Sequence, residues 1–175
     1  GYAGKIEGGA FKKGDMVKIL PSGFLSHIKT IEINGKNIEE AYSPMSVSVT
    51  LKDDLDISRG DMIVKENNVP VISQDLDLMI CWMDSADLKS RKKVIIKHTT
   101  NECLGMITEI LYKLDINTLH SIKDFEDFKL NDIGRIKIRS SKPLFFDSYK
   151  KNRHTGSVIL IDPNTNATIA AGMII

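Results

Sequence analysis

The chain has 175 residues, 42% apolar and 27% charged, an ordinary globular composition long enough for one domain or two small ones with working cores. Its 24 Lys and Arg against 23 Asp and Glu leave a formal net charge of +1, without the basic excess by which nucleic-acid binders neutralise phosphates. No apolar run approaches the ~20 residues that span a bilayer. The N-terminus lacks a signal layout and begins with Gly1 rather than Met, as expected of an excised piece.

In chain order, Met16-Val17-Lys18-Ile19-Leu20 predicts a strand stopped by Pro21-Ser22-Gly23, since proline cannot donate to a ladder and glycine accepts positive φ. Residues 28–33 alternate apolar and polar, and Asn34-Gly35 then supplies a strong hairpin signal. Residues 46–51 form a β-branched run, and the turn Ser58-Arg59-Gly60 precedes a strand over 61–64. Short strands at this spacing, with no long helical period, predict a small closed barrel. Asn67-Asn68-Val69-Pro70 has turn formers and no periodicity, and reads as a boundary. A second strand set follows at 76–83, 94–98, 103–111, 133–138, 157–161 and 168–173. Helical turns are expected only near Asp84 to Asp87 and Asp115 to Leu119, each with an Asp placed to cap it. The predicted fold is all-β: two consecutive antiparallel β-barrels over residues 1–68 and 69–175.

Catalytic and cofactor motifs are scarce. A phosphate-binding loop needs a glycine-rich turn ending in Gly-Lys-Ser/Thr. Gly9-Ala10-Phe11-Lys12-Lys13-Gly14-Asp15-Met16 has the glycines but puts Asp15 where the lysine belongs, and reads better as a hairpin turn. No Asn-Lys-x-Asp guanine-reading motif occurs. Asp53, Asp54 and Asp56 lack the spacing of a calcium loop and read as a solvated turn, with Asp56 capping Ile57-Ser58-Arg59. His27, His98, His120 and His154 never fall at metal-ligand spacing. Cys81 and Cys103 sit among apolar residues and read as two buried thiols. Gly156-Ser157 lacks the Gly-x-Ser-x-Gly elbow of a nucleophile. The expectation is therefore no catalytic, cofactor-binding or metal residue. Two basic groups remain, Lys89, Arg91, Lys92 and Lys93, and Lys150, Lys151, Arg153 and His154; each reads as a docking surface or as a solubilising loop.

Several motifs carry a resemblance. They include Leu20-Pro21-Ser22-Gly23, Ile57-Ser58-Arg59-Gly60-Asp61, Cys81-Trp82-Met83 and Lys97-His98-Thr99-Thr100. Further along stand Leu130-Asn131-Asp132-Ile133-Gly134-Arg135 and Asn152-Arg153-His154-Thr155-Gly156-Ser157. Across nearly the whole chain these resemble the large, GTP-binding subunit of bacterial sulfate adenylyltransferase, in the elongation factor Tu superfamily. The resemblance implies barrel domains two and three of a cytoplasmic subunit, with a strand expected ahead of Gly1 to close the first barrel. It implies partnership with an N-terminal GTPase domain, which would hold GTP and magnesium, and with a small catalytic subunit. It leaves this segment without a cofactor of its own. The alternative is a translation-factor barrel module binding tRNA or another protein; a self-contained enzyme would need an unforeseen pocket.

Within that resemblance the loop 147–154 is the candidate partner-docking site, through Lys150, Lys151 and Arg153. Lys150 and Lys151 are expected to face the GTPase domain or the catalytic subunit. Arg153 leans to a structural role, with Asn152 and Arg153 bonding nearby carbonyls or pairing with Asp147 and Asp132.

Overall fold

The computed structural model describes every residue from Gly1 to Ile175 and contains strands and turns but no helix. It divides into two compact units, Gly1–Pro70 and Val71–Ile175. The chain is all-β, two consecutive antiparallel β-barrels.

The first unit holds β1 (Tyr2–Lys5), β2 (Ala10–Lys12), β3 (Met16–Leu20), β4 (Leu25–Ile33), β5 (Lys36–Ile38), β6 (Glu40–Tyr42), β7 (Ser46–Leu51) and β8 (Met62–Lys65). The main sheet runs β1-β7-β4-β3-β8, with β5 attached to β4, while β2 and β6 pair separately. Alternation sets the inner face: β7 exposes Ser46 and Ser48 and buries Val47, Val49 and Leu51 against Val17, Ile19, Ile28 and Ile31. Asn34 and Gly35 turn β4 into β5 with φ of 50° and 77°, the left-handed pair that a tight hairpin needs. The hydrogen-bonded path ends at β1 and β8, which do not pair with each other.

Two local readings change. The glycine-rich stretch is a turn, but it joins β2 to β3, which lie in different sheets, so it is not a hairpin. Asp15 closes that turn by accepting the Lys12 N–H at 2.8 Å, and its carboxylate lies 2.8 Å from Lys65 Nζ. The turn before β8 is capped by Asp61, not Asp56. Its carboxylate accepts the Ser58 N–H at 2.9 Å while its own N–H reaches Ser58 O at 3.0 Å.

The second unit holds β9 (Val71–Trp82), β10 (Lys93–His98), β11 (Asn101–Leu114), β12 (Ser121–Ile122), β13 (Ile133–Phe146), β14 (Ser157–Ile161) and β15 (Thr168–Ile174). They run β10-β14-β15-β9-β13-β11-β12, and β10 also pairs with β11. That last pairing closes the sheet on itself and leaves only β12 outside the ring. The interior is filled by Trp82, Ile96, Ile107, Phe128, Ile136 and Leu160. Gly134 has no room for a side chain, because a Cβ there would lie 2.4 Å from Tyr112 O and 2.5 Å from the Phe128 ring.

No helix forms at either expected position, although Leu119 N–H donates to Asp115 O at 2.7 Å and so closes a single turn over 115–119. Asp84 and Asp115 do accept backbone N–H groups, from Ala86 at 3.1 Å and from Asn117 at 2.8 Å. These are side-chain-closed turns; segments so short lack the hydrogen bonds to offset helix nucleation. Ala86 is instead held by Trp82, whose indole N–H donates to Ala86 O at 2.8 Å. Of the two free cysteines Cys103 is buried, whereas Cys81 is only half-buried, because it lies on the outward side of β9.

Candidate functional site

The candidate loop connects the buried end of β13, Phe146, to β14. Its backbone is fastened to β15: Tyr149 N–H donates to Ile174 O, and Ile174 N–H donates to Gly156 O, each at 2.8 Å. Within the loop, Asn152 N–H donates to Ser148 O at 3.0 Å and Gly156 N–H to Asn152 O at 2.8 Å. Asn152 Oδ1 accepts the N–H groups of His154 and Thr155 at 3.0 and 3.4 Å. Asn152 is therefore the organiser of the turn, a role this residue type suits because its short amide mimics a backbone carbonyl.

Asp147 is the second anchor. One oxygen lies 2.7 Å from Lys151 Nζ and the other accepts the Thr155 hydroxyl at 3.2 Å. The Thr155 carbonyl, buried, meets His98 Nε2 at 2.7 Å. A carbonyl only accepts, so this ring nitrogen carries the proton and His98 ties β10 to the loop. Gly156 lets the turn close, because a Cβ there would lie 2.4 Å from the Tyr149 Cα and N.

The candidate residues divide accordingly. Lys150 is exposed and makes no ion pair. Lys151 is taken up by Asp147, an exposed pair worth at most about 1 kcal/mol. Arg153 lies over the Tyr149 ring at 5.9 Å and its carbonyl accepts the Ser157 hydroxyl at 2.5 Å. The expected pairing of Arg153 with Asp147 or Asp132 does not occur. Asp147 is taken by the lysine one turn away, and Asp132 holds Lys113 Nζ at 2.8 Å and the Lys129 N–H at 2.7 Å. Asn152 does bond a neighbouring carbonyl, through its backbone N–H to Ser148 O, while its amide oxygen accepts backbone N–H groups.

The other basic group is split. Lys92 is drawn into the fold, 3.3 Å from Asp162 and 3.9 Å from Asp84 and over the Trp82 ring at 5.9 Å. Lys89, Arg91 and Lys93 stay exposed. Asp162 is held below the ordinary carboxylate value, first by the Asn164 N–H, then by that of Thr165 and by Lys92. Arg135, bonded through Nε and Nη2 to both oxygens of Asp77 at 2.8 and 2.7 Å, is held more firmly protonated by that carboxylate. No group of three or more His, Cys, Asp or Glu side chains gathers to hold a metal ion. No helix is long and apolar enough to cross a membrane.

The sequence reading missed His98, Thr155 and Gly156 as the loop's supports. The Thr-Gly-Ser run was visible, but only the register of β14 against β15 and β10 brings His98 to it.

Residues 75–175 match the family described as GTP-eEF1A C-terminal domain-like. The chain is 46% identical over 175 residues to the "Bifunctional enzyme CysN/CysC" of Mycobacterium tuberculosis, covering 99% of this chain and 28% of that protein. It is 44% identical over 176 residues to "Sulfate adenylyltransferase subunit 1" of Bacteroides fragilis, covering 100% of this chain and 37% of that one. The chain thus spans well under half the length of these relatives. Among solved structures, Sup35 complexed with GDP matches with a TM-score of 0.88 over 99% of this chain and 43% of its own. At 18% identity, that likeness is one of fold.

Proposed function

The chain belongs to the GTP-eEF1A C-terminal domain-like family, and on that premise we propose that it is the non-catalytic two-barrel part of the GTP-binding large subunit of sulfate adenylyltransferase. The observation that carries this reading is the 44% identity, along the whole chain, to a sulfate adenylyltransferase subunit 1. In this reading the parent complex couples GTP hydrolysis to ATP + sulfate → adenosine 5′-phosphosulfate + pyrophosphate in the cytoplasm. GTP and magnesium sit on a separate GTPase domain, and adenylylation occurs on a small catalytic subunit. The barrels hold these parts in register, with Lys150, Lys151 and Arg153 at a docking edge.

A graft tests it. The matching segment of the Bacteroides fragilis subunit is replaced by this chain, and pyrophosphate release is followed with the small subunit, ATP and sulfate, with and without GTP. Retained GTP stimulation is expected; a graft that folds and assembles yet shows none overturns the reading. The second reading, a translation-factor barrel, draws on the Sup35 fold and the exposed basic loop. Filter binding of aminoacylated tRNA at physiological salt separates the two, and a strongly salt-dependent complex would favour the second.

A further inference from the structure

Strands β14 and β15 depart from the alternation of a sheet with one solvated face. In β14, Val158 and Leu160 fill the barrel, yet Ile159 points outward and is 41% exposed. In β15, Ile169, Ala170 and Ile174 are buried while Met173 stays 40% exposed. Registers extend this outward apolar row sideways. Met173 lies opposite Met79, Ile159 opposite Ala171, and Ile95 stands between Ile161 and Leu104, which is 59% exposed. Near-continuous apolar strands of this kind mark sheets covered on both faces, and here Ile159, Met173 and Leu104 on the outer one are exposed.

The loop end of the wall is cationic. Met173 pairs with Ser157, whose hydroxyl bonds Arg153 O, so the basic loop sits at the wall's end. Lys97 flanks Ile159 and faces Glu102 across the next strand. Lys151 is matched by Asp147, whereas Lys150 and Arg153 have no carboxylate partner. A two-fold contact between copies would set this same surface against itself, so the cationic end disfavours it. An occupant with an apolar ridge edged by carboxylates meets both features.

We propose that this outer wall, Met173 through Ile159 and Ile95 to Leu104, is a docking surface for a separate protein of that chemistry. The proposal rests on the reading above, in which that protein is the small catalytic subunit. The test titrates the 175-residue chain with that subunit by calorimetry at low and high salt, using wild type, Ile159→Arg, Leu104→Arg and Lys150→Glu. All three positions are exposed, and matching circular dichroism and melting curves confirm folding. Each arginine variant is expected to weaken binding about tenfold or more, and wild-type affinity to fall with salt. As a readout independent of variants, hydroxyl-radical oxidation of Met173 and of Met106, which is 40% exposed two residues beyond Leu104 on the same face of β11, should slow in the complex. Binding that is unchanged by either arginine, or methionines that stay equally reactive, overturns the proposal. A wild-type chain that does not bind also overturns it, while the graft still decides the broader reading. Sedimentation showing a homodimer that Ile159→Arg dissolves would assign the wall to a second copy instead.

Discussion

Gly156 shows how much one missing side chain can decide. It lies where the loop folds back on itself, and a methyl group there would meet the Tyr149 backbone at 2.4 Å and Asn152 O at 2.7 Å. Backbone cannot swing aside as a flexible side chain can, so Gly156→Ala must push the loop off β15. A cost of about 1–3 kcal/mol is expected, read as a fall in the urea midpoint. Gly4→Ala is the control, since nothing lies within 4 Å of a Cβ there and no turn depends on it. Asp162 offers a second test at this scale. Its carboxylate accepts the Asn164 and Thr165 N–H groups at 2.8 and 3.1 Å, so its folded pKa lies below the ordinary 3.8. The unfolded chain therefore takes up the proton first, and stability rises with pH across this window. The contribution is complete above the ordinary value and fades as pH falls through the depressed one. Asp162→Asn keeps an acceptor but no charge. Its deficit against wild type, followed by urea unfolding from about pH 7 to about pH 2.5, should be constant at first and narrow in acid. A deficit that widened in acid would refute the assignment.

At the scale of the element, β13 carries the charged stripe of the second barrel. Arg135 grips Asp77 on β9 through two parallel bonds, and Arg139 reaches Asp75 one pleat along. The Arg135–Asp77 side chains are 35% and 32% exposed, so solvent screens the pair and keeps its contribution small. Arg135→Lys should lose most of that, because an ammonium cannot fork. A double-mutant cycle with Asp77→Asn reads the coupling directly, and a coupling indistinguishable from zero would leave β13 held by its interior residues alone. The same strand shows what the sequence made legible. Its first half, Ile133 to Ile138, alternates cleanly and was readable, as were β3, β7 and β14. Its second half was not: the register shifts between Arg139 and Leu144, around Pro143, and that breaks the period by which a strand is recognised. Strands as short as β2, β5, β6 and β12 carry too few residues for any period. In the candidate loop, charge density was visible in Lys150, Lys151 and Arg153. Which of them is free depended on Asp147 choosing Lys151, a matter of distance that spacing alone does not settle.

At the scale of the molecule, the two units are built to different degrees of closure. In Val71–Ile175 every ring strand has two neighbours, and the core runs from Leu76 to Ile174, the two ends of the unit. In Gly1–Pro70 the path stops at β1 and β8, strands of 4 residues each with one unpaired edge, and β2 with β6 forms a separate ribbon. Edge strands fray, because half of their backbone groups depend on water, whereas a closed ring opens only by breaking a full ladder. Each unit has its own core, so neither needs the other to begin folding. The expected outcome is two unfolding steps in urea, the first unit yielding at the lower concentration, with hydrogen exchange in β1 and β8 faster than in β10 and β14. Trp82, buried in the second unit, reports only the later step through its fluorescence, while circular dichroism reports both. Coincident transitions by the two probes would mean the units unfold as one, and an earlier fluorescence step would mean that ring closure does not set the order of stability.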